Sequence, residues 1–176
     1  MKASGLEKYL NNFGDKVVDE AEKELRSSKD SQGKSRGDTA LGKSIRVKVK
    51  ITPTGFSTKF YMADYGTFLD KGVKGTKSNY IENSKTDYSY KNKQPPSGII
   101  EKWIKKKGIK GRDKKSGRFI TNKSLAFLIG RSIKEKGIKS LSFFQKPLGI
   151  EYNKLRKGML EVLKLDIQTY ITTFTK

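Results

Sequence analysis

The sequence contains no cysteine and no histidine. Without cysteine there is no disulfide, no thiol nucleophile and no thiolate metal site, a pattern that fits a reducing compartment. Without histidine there is no Ser-His-Asp triad, no imidazole base and no HNH-type nuclease centre. Chemistry is left to carboxylates and lysines, and carboxylates are scarce: 18 Asp+Glu stand against 39 Lys+Arg, a net charge of +21 over 176 residues. No stretch approaches the roughly 18 apolar residues of a spanning helix, so a chain that is soluble, or part of a soluble assembly, and spans no membrane is expected. Met1-Lys2-Ala3-Ser4-Gly5-Leu6 leads into charged residues without an apolar core, so no secretory signal is expected. No glycine loop of the Walker or dinucleotide type occurs, and the 17 glycines read as punctuation.

What is present is enough for a core. A chain of this length buries roughly 70% of its unfolded surface on folding, and nine Phe, eight Tyr and one Trp are available to fill it. The excess of cations exceeds what solubility requires. It points to a polyanionic neighbour: nucleic acid, an acidic protein surface or an anionic membrane.

Periodicity places the elements. Leu6, Tyr9, Leu10, Phe13, Val17, Ala21 and Leu25 recur at three- and four-residue steps and predict a helix over 4–26, weakened at Gly14. Residues 27–42 read as a polar linker or loop. Ile45, Val47, Val49 and Ile51 alternate with Arg46, Lys48 and Lys50, then Thr52-Pro53-Thr54-Gly55 turns the chain. Phe56, Thr58, Phe60 and Met62 alternate again, predicting a β-hairpin at about 44–62. Tyr65, Leu69 and Val73 suggest a short helix, broken by Gly72 and Gly75, and 76–97 is a long excursion. Ser97 is positioned to cap a helix at 98–107, with a second at 124–136. Both end in Lys-Gly-Ile, at Gly108 and Gly137, and read as one capping solution used twice. Trp103 is expected in a shared core with Ile100, Ile104, Leu128 and Ile133, alongside Leu125 and Ile129. Phe143, Phe144 and Pro147 lead into a last helix at 149–171. The fold class is therefore α+β: a small antiparallel sheet packed against helices, with long terminal helices, in a single domain over 1–176.

The charge is unevenly distributed. Lys102, Lys105, Lys106, Lys107, Lys110, Arg112, Lys114, Lys115 and Arg118 give nine cations against Asp113 alone in 17 positions, the last of them in a basic loop at 110–123. The segment reads as a phosphate- or acid-facing surface, the alternative being a solvated face. Lysine outnumbers arginine there, which favours nonspecific contact over bidentate base reading. Arg46, Lys48 and Lys50 form a cationic strand face, either a partner contact or a guarded exposed side. Tyr80, Tyr88 and Tyr90, interleaved with Lys77, Lys85, Lys91 and Lys93, fit packing on a neighbouring subunit, or stacking on bases. Asp19, Glu20, Glu22 and Glu24 form an ordinary helix face, and Glu151 with Lys154 is an i,i+3 pair. No carboxylate cluster sits on a strand end, so no catalytic residue, metal or cofactor is expected.

Four local pieces, in order, resemble the neck or tail-completion (head–tail joining) proteins of tailed double-stranded DNA bacteriophages. They are the hairpin followed by Tyr61-x-x-x-Tyr65-Gly66 and Leu69-Asp70-x-Gly72; Ile100-x-x-Trp103-Ile104 with Lys107-Gly108-Ile109; Leu125 to Ile129 with Arg131 and Ile133; and Phe143-Phe144-x-x-Pro147-Leu148. The resemblance implies a small α+β fold and a homo-oligomeric ring joined to portal or adaptor and tail proteins. It implies nonspecific contact with channel DNA, residence in the virion after assembly in the host cytoplasm, and no enzymatic activity. The excursion at 76–97 and the basic loop lie outside it. A ribosomal or other basic RNA-binding protein would share the charge and the absence of cysteine.

Overall fold

The three- and four-residue spacing of apolar side chains carries through into α1, Ser4–Ser27, where Leu6, Leu10, Phe13, Val17, Ala21 and Leu25 are all buried. The computed structural model describes residues 4–29, 33, 35–52, 54–77 and 86–174. After α1 come a 3₁₀ turn at Gly42–Ser44, β1 (Arg46–Thr52), β2 (Gly55–Tyr61), α2 (Gly66–Lys71) and β3 (Val73–Lys74). They are followed by α3 (Ser97–Lys107), α4 (Asn122–Lys136), β4 (Gly137–Ile138) and α5 (Gln145–Phe174). The fold is α+β, with β1–β2 and β3–β4 forming separate two-stranded antiparallel sheets. Where one domain was expected, contacts gather into two compact units, Met1–Asp70 with Ser142–Lys176, and Lys71–Leu141. Pro53, Tyr80 and Lys85, singled out above, lie outside the described residues.

In the first unit α1 runs antiparallel to α5. The Leu6 N–H donates to Asp166 Oδ2 (2.9 Å), Tyr9 lies against Gly158, and Lys146 Nζ reaches Glu24 (2.8 Å). The hairpin lays its apolar face on this pair, with Val47 of β1 so close to α1 that a Cβ at Gly14 would collide with it. Gly14 therefore costs helix propensity but permits the sheet's close approach. Phe60 meets Phe13 and Phe144 edge to face at 6.2 and 5.3 Å, a geometry that aromatic quadrupoles favour. Part of the predicted polar linker belongs to this core: Leu41 is buried, and Ser44 Oγ donates to the Leu41 carbonyl and accepts the Ala63 N–H. The short polar side chains of that stretch satisfy backbone groups locally, which periodicity does not register.

The second unit has a smaller core. Ile100 and Ile104 of α3 meet Ala126 of α4, flanked by Ile109, Leu125, Ile129 and Ile133. Two expectations fail here. Trp103 remains 39% exposed and Leu128 51%. The helices approach over Ala126 and Gly130, whose smallness fixes the seam, and Leu128 lies on the far side of α4 from them. Leu125 to Ile129 is a continuous apolar run, so its periodicity does not say which arc faces inward.

Helix ends differ from expectation for local reasons. Ser97 is the first residue of α3, not its cap; the Pro96 carbonyl accepts from the Ile99 N–H (3.1 Å). α4 begins two residues early because Thr121 Oγ1 accepts the Ser124 N–H (3.2 Å). Gly108 closes α3 in the left-handed conformation, with Gly108 N–H bonded to the Lys105 carbonyl and Ile109 N–H to that of Ile104, a Schellman closure. Gly137 does not repeat it. At φ 81° and ψ −167° it passes directly into β4, pairing with Lys74 while Ile138 pairs with Val73.

Candidate polyanion-binding surfaces

Between Lys71 and Leu141 the sequence carries 20 Lys+Arg against 5 Asp+Glu, a balance of +15; the rest of the chain carries 19 against 13, or +6. The anions described in the second unit are largely committed. Glu135 holds Lys77 (3.0 Å) and Arg131 (3.2 Å), bonds that lower its pKa, Lys77 contributing most. Glu101 holds Lys105 at 2.9 Å.

Asp113 is used inside the basic loop. Its Oδ1 accepts from the Ser116 N–H (2.7 Å), Ser116 Oγ (2.9 Å) and the Lys115 N–H (3.0 Å), and the Ser116 bonds lead in depressing its pKa. Around that turn the loop folds on itself. The Asp113 N–H donates to the Arg118 carbonyl, Ile120 N–H to that of Gly111, and Arg112 pairs with Phe119. Residues 111–120 of the basic loop thus form a small hairpin projecting Lys114, Lys115 and Arg118, all exposed, while Asn122 and Lys123 already belong to α4. Arg112 lies 4.4 Å over the ring of Phe119, itself 62% exposed, so a cation and an apolar face stand together. Lys102, Lys106 and Lys110 are exposed and, with Lys114, Lys115 and Arg118, have no carboxylate partner among the described residues. The field of such unpaired surface cations extends about 8 Å at physiological salt before screening removes it.

The first unit carries a separate cationic surface. Arg46, Lys48 and Lys50 occupy the outer face of β1, where register places Lys59 of β2 opposite Lys48 and Tyr61 opposite Arg46. Arg46 lies 5.2 Å and Lys48 6.0 Å over the Tyr61 ring. Lys59, Tyr61 and Phe119 were missed as surface residues; the two-residue turn, which sets the hairpin register, was the signal available for the first two. Tyr88 and Tyr90 are half-buried within their own unit, and burial raises the Tyr90 pKa. Their backbones pair with Lys74: the Lys74 N–H donates to the Tyr88 carbonyl and the Tyr90 N–H to that of Lys74.

The motif residues have structural roles. Asp70 is 3% exposed, and its Oδ1 accepts the N–H groups of Phe144 (2.7 Å) and Gln145 (3.3 Å), while the Asp70 carbonyl accepts that of Ser142 (3.0 Å). This buried carboxylate caps α5 from 74 residues away, which is why the helix begins at Gln145 instead of 149. Pro147 sits in the first turn, where its missing N–H costs nothing. Phe143 is buried beneath, Gly66 packs tightly against Leu41 and Met62, and Gly72 has φ 75°. Tyr65, in contrast, is exposed.

Among the described residues no group of three or more potential metal ligands forms, and no helix is long and apolar enough to cross a membrane. Glu151 pairs with Lys154 one turn on. The chain matches no family model, no curated protein and no solved structure.

Proposed function

We propose that this protein is a non-enzymatic virion subunit of a phage head–tail connector. In this reading it joins a homo-oligomeric neck or tail-completion ring, assembled in the host cytoplasm between portal or adaptor and tail proteins. Its second unit faces the DNA channel. The observation that carries the reading is the charge partition: +15 on 71 residues whose described carboxylates are mostly held in internal contacts. A ring on a DNA channel has to tolerate a sliding polyanion, and dispersed lysines attract phosphate without fixing a register. The Asp70 cap also supports it, since it ties Leu69-Asp70-x-Gly72 to Phe143-Phe144, two of the four pieces that carry the resemblance.

The test replaces Lys105, Lys106, Lys114 and Lys115 together by Gln. Duplex DNA binding should be independent of sequence, its log affinity falling by about 0.9 per neutralised phosphate against log salt, and the variant should flatten that slope. Normal assembly and DNA delivery by particles carrying the variant would reduce the stretch to a solvated face. Unchanged DNA binding with failed assembly would make an acidic neighbouring subunit the partner. The Arg112–Phe119 pair favours one second reading, RNA binding through base stacking. Tight binding of the isolated chain to structured RNA, lost on Phe119→Ala, would establish that reading instead.

A further inference from the structure

Among the described residues the β1–β2 sheet has two strands, and its hydrogen bonding leaves one edge of β2 open. Thr52 pairs with Gly55 only two residues further on, which makes this a hydrogen-bonded pair, so bonded pairs alternate from there: Lys50–Ser57, Lys48–Lys59 and Arg46–Tyr61. The backbone N–H and C=O groups of Phe56, Thr58 and Phe60 therefore point away from β1, and none is bonded elsewhere in the described residues. Beside this edge lies an open groove of about 640 Å³. Buried Leu10, Phe13 and Leu155 line its floor, while Phe56 and Tyr152, about half exposed, stand at its rim. Thr58 also lines it, and the Thr58 Oγ1, although buried, has no hydrogen-bond partner among the described residues.

We propose that this groove accepts an extended segment of a different protein as a third strand on β2, alternating apolar and acidic residues. The edge supplies the ladder and the groove an apolar floor, the two components of strand addition. Alternation assigns the chemistry of each face. Side chains beside Phe56, Thr58 and Phe60 enter the groove, and those beside Ser57, Lys59 and Tyr61 join the face that holds Arg46, Lys48 and Lys50. Four cations on that face select carboxylates. A second copy of this chain is a poor donor: its alternating segment, Ile45 to Ile51, would bring Arg46, Lys48 and Lys50 to the same cationic face, and like charges opposite one another are destabilising. This inference does not depend on the neck reading.

The experiment titrates the full chain with acetyl-Val-Glu-Val-Glu-Val-Glu-Val-amide, its Val-Lys counterpart and a heptaglutamate. Hydrogen exchange at the amides of Phe56, Thr58 and Phe60, fast in the free protein, should slow with the Val-Glu peptide alone. Thr58→Pro removes one edge donor that the β1–β2 ladder does not use, and should lower affinity at least tenfold. Lys59→Glu leaves the backbone intact and should weaken the Val-Glu peptide about three- to fivefold while strengthening the Val-Lys peptide comparably. The proposal is overturned by unslowed exchange at the three amides, by equal binding of heptaglutamate, or by an unchanged charge preference in Lys59→Glu. A concentration-dependent dimer that slows the same amides would replace the foreign strand with a second copy.

Discussion

The two units use sequence differently. The first spends its apolar residues on a continuous core: α1 buries its stripe apart from the half-buried Tyr9, α5 and the hairpin cover it, and lysines are largely offset by carboxylates. The second buries only Ile100, Ile104 and Ala126 in its central cluster, leaves Trp103 and Phe119 exposed, and carries most of the charge. One unit has the packing of a scaffold; the other has a surface whose self-repulsion a bound polyanion would relieve. Its order rests on backbone devices, the Schellman closure and the Asp113 turn, which need few apolar residues.

The largest expected effects lie in the first unit. Phe143→Ala should lower unfolding free energy by about 3–5 kcal/mol in denaturant titration, the usual cost of an emptied aromatic site. Trp103→Ala, at a half-exposed site, should cost only about 1–2 kcal/mol; equal costs would erase the contrast between the units. Asp70→Asn should cost about 1–2 kcal/mol, because the amide loses the charge of the α5 cap, and amide exchange should accelerate first at Phe144 and Gln145.

Smaller effects separate the two glycine closures. A Cβ at Gly137 would collide with the Val73 carbonyl, whereas one at Gly108 meets open space. Gly137→Ala should therefore cost more than Gly108→Ala, whose cost is about 1 kcal/mol from the left-handed conformation alone. The smallest effect is one of pH. The Asp113 carboxylate has a pKa below its ordinary value because its ionised form accepts three bonds, those from Ser116 foremost. Its contribution is fully present above the ordinary aspartate value and is lost as pH falls through the lower, folded one. Amides of Lys115 and Ser116 should lose protection in that acidic window, and Asp113→Asn should abolish the pH dependence.

Sequence alone determined the features whose cause is local. The α1 stripe, the hairpin with its alternating faces and the Gly108 closure follow from spacing and backbone preference within a few residues. The imbalance of charge was equally legible, since it requires only counting. Tertiary structure decided the rest, because each case depends on atoms distant in the chain. Gly14 looks like a weak point until Val47 is seen against it. Leu128 and Leu125 are equivalent until the small residues Ala126 and Gly130 bring α3 to one side of α4. Asp70 is one carboxylate among 18 until folding buries it under two amides of a helix 74 residues away. The open edge of β2 appears only when the partners of every other backbone group are known. Propensity acts over one or two turns, whereas burial and hydrogen-bond satisfaction are settled by whatever the chain brings alongside.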